Sequence, residues 1–237
     1  MRRVLLWVGC LVLLSVSCRL TQINPFKRVV DHPRPEMKVD NSYFKGLGCF
    51  ESVDCLPEEV RDGPYSIEGI YPVPDLFGAL KPELPVAIAS SVRFYGDEEV
   101  PAVYSKKCMA TFYYRYLILG DDQIQLVDSV NEMREIYAPI ENEDEALAYA
   151  VALTGYSALF DLANKPNYKV IAKPLEATYS RFDGEVFKVH LFNDFLCGCG
   201  PHITKSVDVT VMQDGSIHVA EPADAFQDVT LDGLCID

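Results

Sequence analysis

The chain has 237 residues, of which 49% are hydrophobic and 24% charged, and its formal net charge is −14 at pH 7. That apolar content excludes a disordered chain and is enough for a buried core of ordinary domain size. The acidity excludes a polyanion-binding surface: phosphate backbones and anionic headgroups meet repulsion, so no nucleic-acid partner is expected.

Arg2 and Arg3 begin a short apolar stretch over residues 4–14, broken only by Gly9, and the small residues Ser15, Val16 and Ser17 precede Cys18. This is the order of an export signal over residues 1–17. At about 1.5 Å of rise per residue the apolar part is shorter than the roughly 20 residues a membrane span requires. Removing it takes two cations with it and brings the charge to −16. The segment Leu14-Ser15-Val16-Ser17-Cys18 resembles the lipobox of bacterial lipoproteins, with Ser15 where that box usually carries Leu. The resemblance implies that Cys18 is acylated by chains of the palmitate kind and that a lipid anchor holds the protein to the cell membrane or outer membrane, outside the cytoplasm. Ordinary secretion after the small residues and an uncleaved anchor are the alternatives. Cysteine parity favours the lipid anchor: of eight cysteines, Cys10 leaves with the signal and Cys18 takes lipid. An even set then remains, Cys49, Cys55, Cys108, Cys197, Cys199 and Cys235, as expected of an oxidised extracytoplasmic protein.

Residues 18–48 mix both charge signs with prolines and show no apolar period, so they read as a tether, with His32 in solvent. Residues 49–237 then form a single α+β domain. Prolines at 57, 64, 72, 74, 82 and 85 leave residues 49–85 as irregular loops that need a staple. A bridge from Cys49 to Cys55 would supply about 2 kcal/mol by loop-closure entropy. Strands fall within 86–130, strongest at 110–119, where Phe112, Tyr114, Tyr116 and Ile118 alternate with Tyr113, Arg115 and Leu117; Gly120-Asp121-Asp122 turns into a return strand at 123–127.

The clearest helix covers 141–154. Asn142 and Glu145 are spaced as a near capping box, Gly155 is the stop, and Ala146, Leu147, Ala150, Val151 and Leu153 make the apolar face. Glu141, Glu143, Asp144 and Glu145 suit the first turn, where the helix dipole favours negative charge. Antiparallel strands follow over 168–220, with turns at Asp183-Gly184 and Asp214-Gly215. The expected fold is thus an antiparallel meander packed on one main helix, disulfide-stapled, with one core. Residues 140–220, through Glu145-Ala146-Leu147-Ala148 and Asp214-Gly215-Ser216-Ile217, resemble the PepSY and cystatin-like modules of bacterial envelope proteins, which implies ligand or protease binding rather than catalysis.

One loop could carry chemistry. Cys197-Gly198-Cys199-Gly200-Pro201-His202 lies in a connection longer than a hairpin needs. As a metal site, Cys197, Cys199 and His202 would offer two thiolates and an imidazole to zinc or copper, with Cys235 or His190 as fourth ligand. As a redox site the vicinal pair lacks the CxxC spacing. As a structural loop, one of the two cysteines ties Cys235, the other meets Cys108, and His202 is left at the surface. His190 and His218 lie opposite the apolar strand face and read as exposed or partly satisfied. No GxSxG, SxxK, HExxH, GxGxxG or P-loop motif is present. The expectation is a non-catalytic binding or structural module of the cell envelope, without a cofactor, whose partner is a protein or small ligand. The alternative is a metal-binding protein or metal-dependent enzyme built on the CGCGPH loop.

Overall fold

The computed structural model describes residues 29–61, 63–94, 98–165 and 167–236; the signal segment, Cys10 and Cys18 lie outside them. The first half carries β1 (Val29–Val30), α1 (Ser42–Gly46), α2 (Glu58–Arg61), β2 (Gly69–Pro72), β3 (Val86–Phe94), β4 (Tyr104–Lys107), β5 (Ala110–Gly120) and β6 (Gln123–Val127). Two helices follow, α3 (Val130–Tyr137) and α4 (Glu143–Thr154). The second half carries β7 (Tyr168–Val170), β8 (Leu175–Glu176), β9 (Tyr179–Phe182), β10 (Phe187–Asn193), β11 (Gly198–Cys199), β12 (Ile203–Val211), β13 (Ile217–Val219), β14 (Ala223–Asp228) and β15 (Cys235–Ile236). The molecule is mostly antiparallel sheet, with few helices and three disulfides.

Two larger sheets replace the single expected one. The first is ordered β2-β3-β5-β4, with β6 also on β5; the second is ordered β7-β14-β12-β10-β9, with β13 also on β12. Each is organised by one long strand whose second edge is shared in tandem by two short ones. On β5, β4 pairs 111–114 and β6 pairs 116–120. On β12, β14 pairs 203–206 and β13 pairs 209–211. The β5–β6 reversal places Asp121 and Asp122 at φ of 48° and 60°, which suits the primed turns that match strand twist.

Strand β5 is buried on both faces, because period-two alternation sends Tyr116 and Ile118 to the main core and Leu117 to a smaller cluster under residues 43–67. Arg115 shares that outer face and is fully buried. Its Nη1 donates to Ser91 Oγ at 2.9 Å, and the guanidinium lies 4.3 Å from the Tyr65 ring centroid. The Tyr65 hydroxyl in turn donates to Asp128. Burial lowers the Arg115 pKa, while Asp128 and Tyr65 act to restore it.

Helix α4 decides the layering. Asn142 accepts from Glu145 N at 3.0 Å, and Gly155 ends the helix in the left-handed region at φ 63°. Residues 145–153 are all buried, not only the predicted apolar face. A helix apolar on every side has to be enclosed on every side. Phe187, Val189, Leu191, Val207, Val209 and Val211 cover it from the second sheet; Val86, Tyr116 and Ile118 close the core from the first, with Leu76 and Phe77 of the 3₁₀ turn Asp75–Ala79. A third cluster around Leu162, Phe192 and Phe226 fills the far side of the second sheet, so the one expected core is a main core with two satellites.

Two further departures follow from packing. Residues 29–48 are not a free tether: β1 pairs in parallel with β8, Phe44 is fully buried, and Met37 and Val39 pack on the main core. Helix α3 stands between the expected strands and the expected helix, where no element was assigned, started by Ser129, whose hydroxyl accepts from Glu132 N, while Glu132 accepts from Asp128 N at 2.9 Å. It then clamps the β12–β13 turn: Arg134 donates to Asp214 O and Oδ2, both at 2.6 Å, and Tyr149 of α4 donates to Gly215 O at 3.0 Å. No described helix is long and apolar enough to cross a membrane.

The acidic start of α4 is partly internal. Glu143 accepts from Phe182 N at 2.8 Å, and Glu145 accepts from Glu141 N at 2.8 Å while only 1% exposed. Burial raises the Glu145 pKa above 4.5, against the backbone N–H groups of Glu141 and Lys81. The folded state therefore holds this proton more tightly than the unfolded chain. The stability linked to it is complete below pH 4.5 and is lost as pH rises through the raised folded pKa. Glu145→Gln, which keeps an acceptor but no charge, is expected to flatten the fall in thermal midpoint above pH 4.5. Melts of both proteins between pH 4 and pH 8 check this; parallel curves would refute it.

Candidate functional site

The CGCGPH loop is a clasp. Cys197 is bonded to Cys108 at the β4–β5 turn and Cys199 to Cys235, while Cys49 is bonded to Cys55 in the segment over the first sheet. With both sulfurs oxidised, the thiolate set considered for zinc or copper is not formed. His202 is 4% exposed rather than at the surface, with Nε2 3.0 Å from Leu234 O. His190 bonds Asp208 through Nδ1 at 2.6 Å and stacks on Tyr179 at 5.4 Å, and His218 is exposed on β13. His32, expected in solvent, is half-buried with its ring 4.9 Å from Tyr179.

What the clasp holds is more informative. Ser157, just past α4, makes a two-bond bridge with Phe192 at 2.8 and 2.9 Å, and its hydroxyl donates to Asp194 Oδ1 at 2.7 Å. Lys106 of β4 lies 5.7 Å from the Phe195 ring, with its pKa lowered by burial against the pull of Asp194. The Cys108–Cys197 bond crosses from the first sheet to the second at the same place. Together these contacts fix β4 against the segment that leaves α4.

Between them lies a cleft of about 480 Å³, walled by Tyr104, Tyr116, Ile88, Val151, Tyr156 and Phe160, with Arg34 and Asp75 among its lining residues. Tyr116 is buried and donates to Ala152 O at 2.7 Å; Tyr104 stacks on Tyr114 at 4.8 Å. The Tyr104 phenol is pushed up chiefly by burial, and Tyr156 by burial and then by Glu221. Raised in this way, the phenols stay neutral at physiological pH, so the walls are apolar and aromatic with uncharged polar edges, and the charge is confined to exposed Arg34 and Asp75. Such a surface binds; Ser157, also among the lining residues, keeps its hydroxyl on Asp194.

Sequence reasoning missed this cleft. Its walls come from β3, β4, β5, α4 and three further segments, at Arg34, 74–77 and 155–160, and no local period links them. The available signal was Gly155 followed by Tyr156-Ser157-Ala158-Leu159-Phe160, an apolar run with no strand partner in view.

No protein family matches the chain, and no curated protein or solved structure does.

Gly155 serves both the helix and the cleft. It stops α4 with a positive φ, and a Cβ there would lie 2.2 Å from Tyr104 Cε2. Gly155→Ala is expected to cost more than about 1 kcal/mol, through the left-handed conformation and displacement of Tyr104. Denaturant titration checks this as a lowered midpoint with unchanged slope.

Proposed function

We propose that this protein is a lipid-anchored module of the cell envelope that binds rather than transforms its partner, holding an apolar or aromatic group of a small ligand or protein in the tyrosine cleft. The observation that carries the reading is the cleft itself, built at the seam of two sheets and a buried helix and clasped by a disulfide that spans both sheets. Three disulfides are compatible with an extracytoplasmic location. The lipobox-like residues ending at Cys18 support acylation, and the likeness of residues 140–220 to ligand- or protease-binding envelope modules agrees with a binding role. The net charge of −14 disfavours nucleic acid and leaves membrane attachment to the lipid.

Two measurements test the two parts of this reading. Cys18→Ala is expected to move the protein from the membrane pellet to the soluble fraction, with folding unchanged; retention after a carbonate wash would exclude the lipid anchor. For the cleft, the probe is p-cresol, titrated into isotope-labelled protein. Its resonance shifts are expected to centre on Tyr104, Tyr156 and Phe160 and to vanish in Ala158→Trp, which fills the cleft. Shifts scattered over the surface, or undiminished in the variant, would remove the cleft as the binding site.

A further inference from the structure

The wall of the tyrosine cleft that leaves α4 is an extended segment with one free edge. Ser157 exchanges both backbone bonds with Phe192, and Leu159, two residues on, is bonded twice to Thr178: its N–H donates to Thr178 Oγ1 and its carbonyl accepts from Thr178 N, each at 2.8 Å. Bonding by alternate residues belongs to extended chain, in which the residue between turns its N–H and C=O the opposite way. The side chains follow the same period. Tyr156, Ala158 and Phe160 pack on the main core, whereas Leu159 joins the third cluster and Ser157 reaches Asp194. Ala158 is therefore the residue whose backbone faces away from the second sheet. It is half-buried and lines the cleft, and neither its N–H nor its C=O has a hydrogen-bond partner among the described residues.

Unpaired backbone along an extended edge is a template for a further strand. Ala158 is the small residue between the rings of Tyr156 and Phe160, so a residue paired with it has room to place a side chain in the cleft that Tyr104, Ile88 and Phe160 wall. Charge sets a second requirement. Asp75 lines the cleft and Glu221 helps to push up the Tyr156 phenol, against the one guanidinium of Arg34, on a chain of net charge −14. An acidic partner is repelled there, and a neutral or basic one is drawn in. On the reading that the cleft binds, we propose that its partner is an extended peptide segment that adds as a strand along residues 156–160. One apolar or aromatic residue of that segment exchanges both backbone bonds with Ala158 and puts its side chain in the cleft, and basic residues flank it. A small apolar compound fills the cleft but leaves the Ala158 backbone unpaired, so the edge selects a polypeptide.

The probe is the acetylated, amidated peptide Lys-Thr-Ser-Phe-Ser-Thr-Lys, whose single apolar residue fixes the register, titrated into the isotope-labelled full chain. Two analogues carry an N-methyl group, one on the Phe nitrogen and one on the nitrogen of the Ser after it. The parent peptide is expected to bind and to slow hydrogen exchange of the Ala158 amide. Methylation at Phe, whose N–H points at Ala158, is expected to weaken binding about tenfold or more, and methylation at Ser, whose N–H points away, by less than about twofold. A Glu-flanked peptide is expected to bind more weakly than the Lys-flanked one, with the gap closing as salt is added. The proposal falls if the parent does not bind, if the two methylated forms bind alike, if exchange at Ala158 is unchanged in the complex, or if the Glu-flanked peptide binds as well. Titration with p-cresol separates the two failures. Shifts at Tyr104, Tyr156 and Phe160 without peptide binding overturn the added strand and leave the cleft; absence of both removes the cleft as well.

Discussion

Burial of α4 on every side is the constraint on which the rest of the structure depends. Residues 146–153 contain no charged side chain, and the alanines at 146, 148, 150 and 152 are fully buried. A helix of this kind is not stable against solvent by its own propensity, and a single sheet would leave half of it wet. Two sheets are therefore required, and small side chains let both approach closely. The same enclosure holds Glu145 in a low-dielectric position and pushes the Tyr149 phenol up to about 12, with burial the leading cause.

Holding two sheets on one helix needs contacts between parts of the chain far apart in sequence. The α3 clamp on the β12–β13 turn supplies one, through Arg134 and Asp214. The Cys108–Cys197 bond, 89 residues apart, supplies another at the opposite end of the layer. By loop-closure entropy a bond of that span is worth about 4 to 5 kcal/mol, against about 2 for the local Cys49–Cys55 staple. The long-range bond is thus the one that most limits how far the sheets can separate, and the tyrosine cleft lies beside it. Binding surface and staple are one piece of architecture: the loop that looks reactive in the sequence is what keeps the neighbouring cleft rigid.

The tyrosine cleft takes Arg34 and Phe160 from segments without regular secondary structure. Arg34 belongs to the stretch that continues from β1, whose pairing with β8 carries residues 32–35 toward α4. A segment that reads as a tether therefore brings a guanidinium to the helix, which local composition does not reveal.

By itself the sequence determined the features that depend on neighbours along the chain. These are the capping of α4 by Asn142 and its stop at Gly155, the hairpin reversals at 121–122, 183–184 and 214–215, and the alternation of β5. Each is set by one turn conformation or one side-chain period, so a few residues suffice. Ser129 and Glu132 carried an equally local cap for α3 that was legible and passed over. Only the tertiary structure decided what covers what: the second sheet over α4, the docking of residues 29–48, the burial of His202 and Arg115, and the gathering of Tyr104, Tyr116 and Phe160 into one cleft. These depend on pairings between strands and segments tens of residues apart, which no period encodes, because a period states which face is apolar but not which surface will cover it.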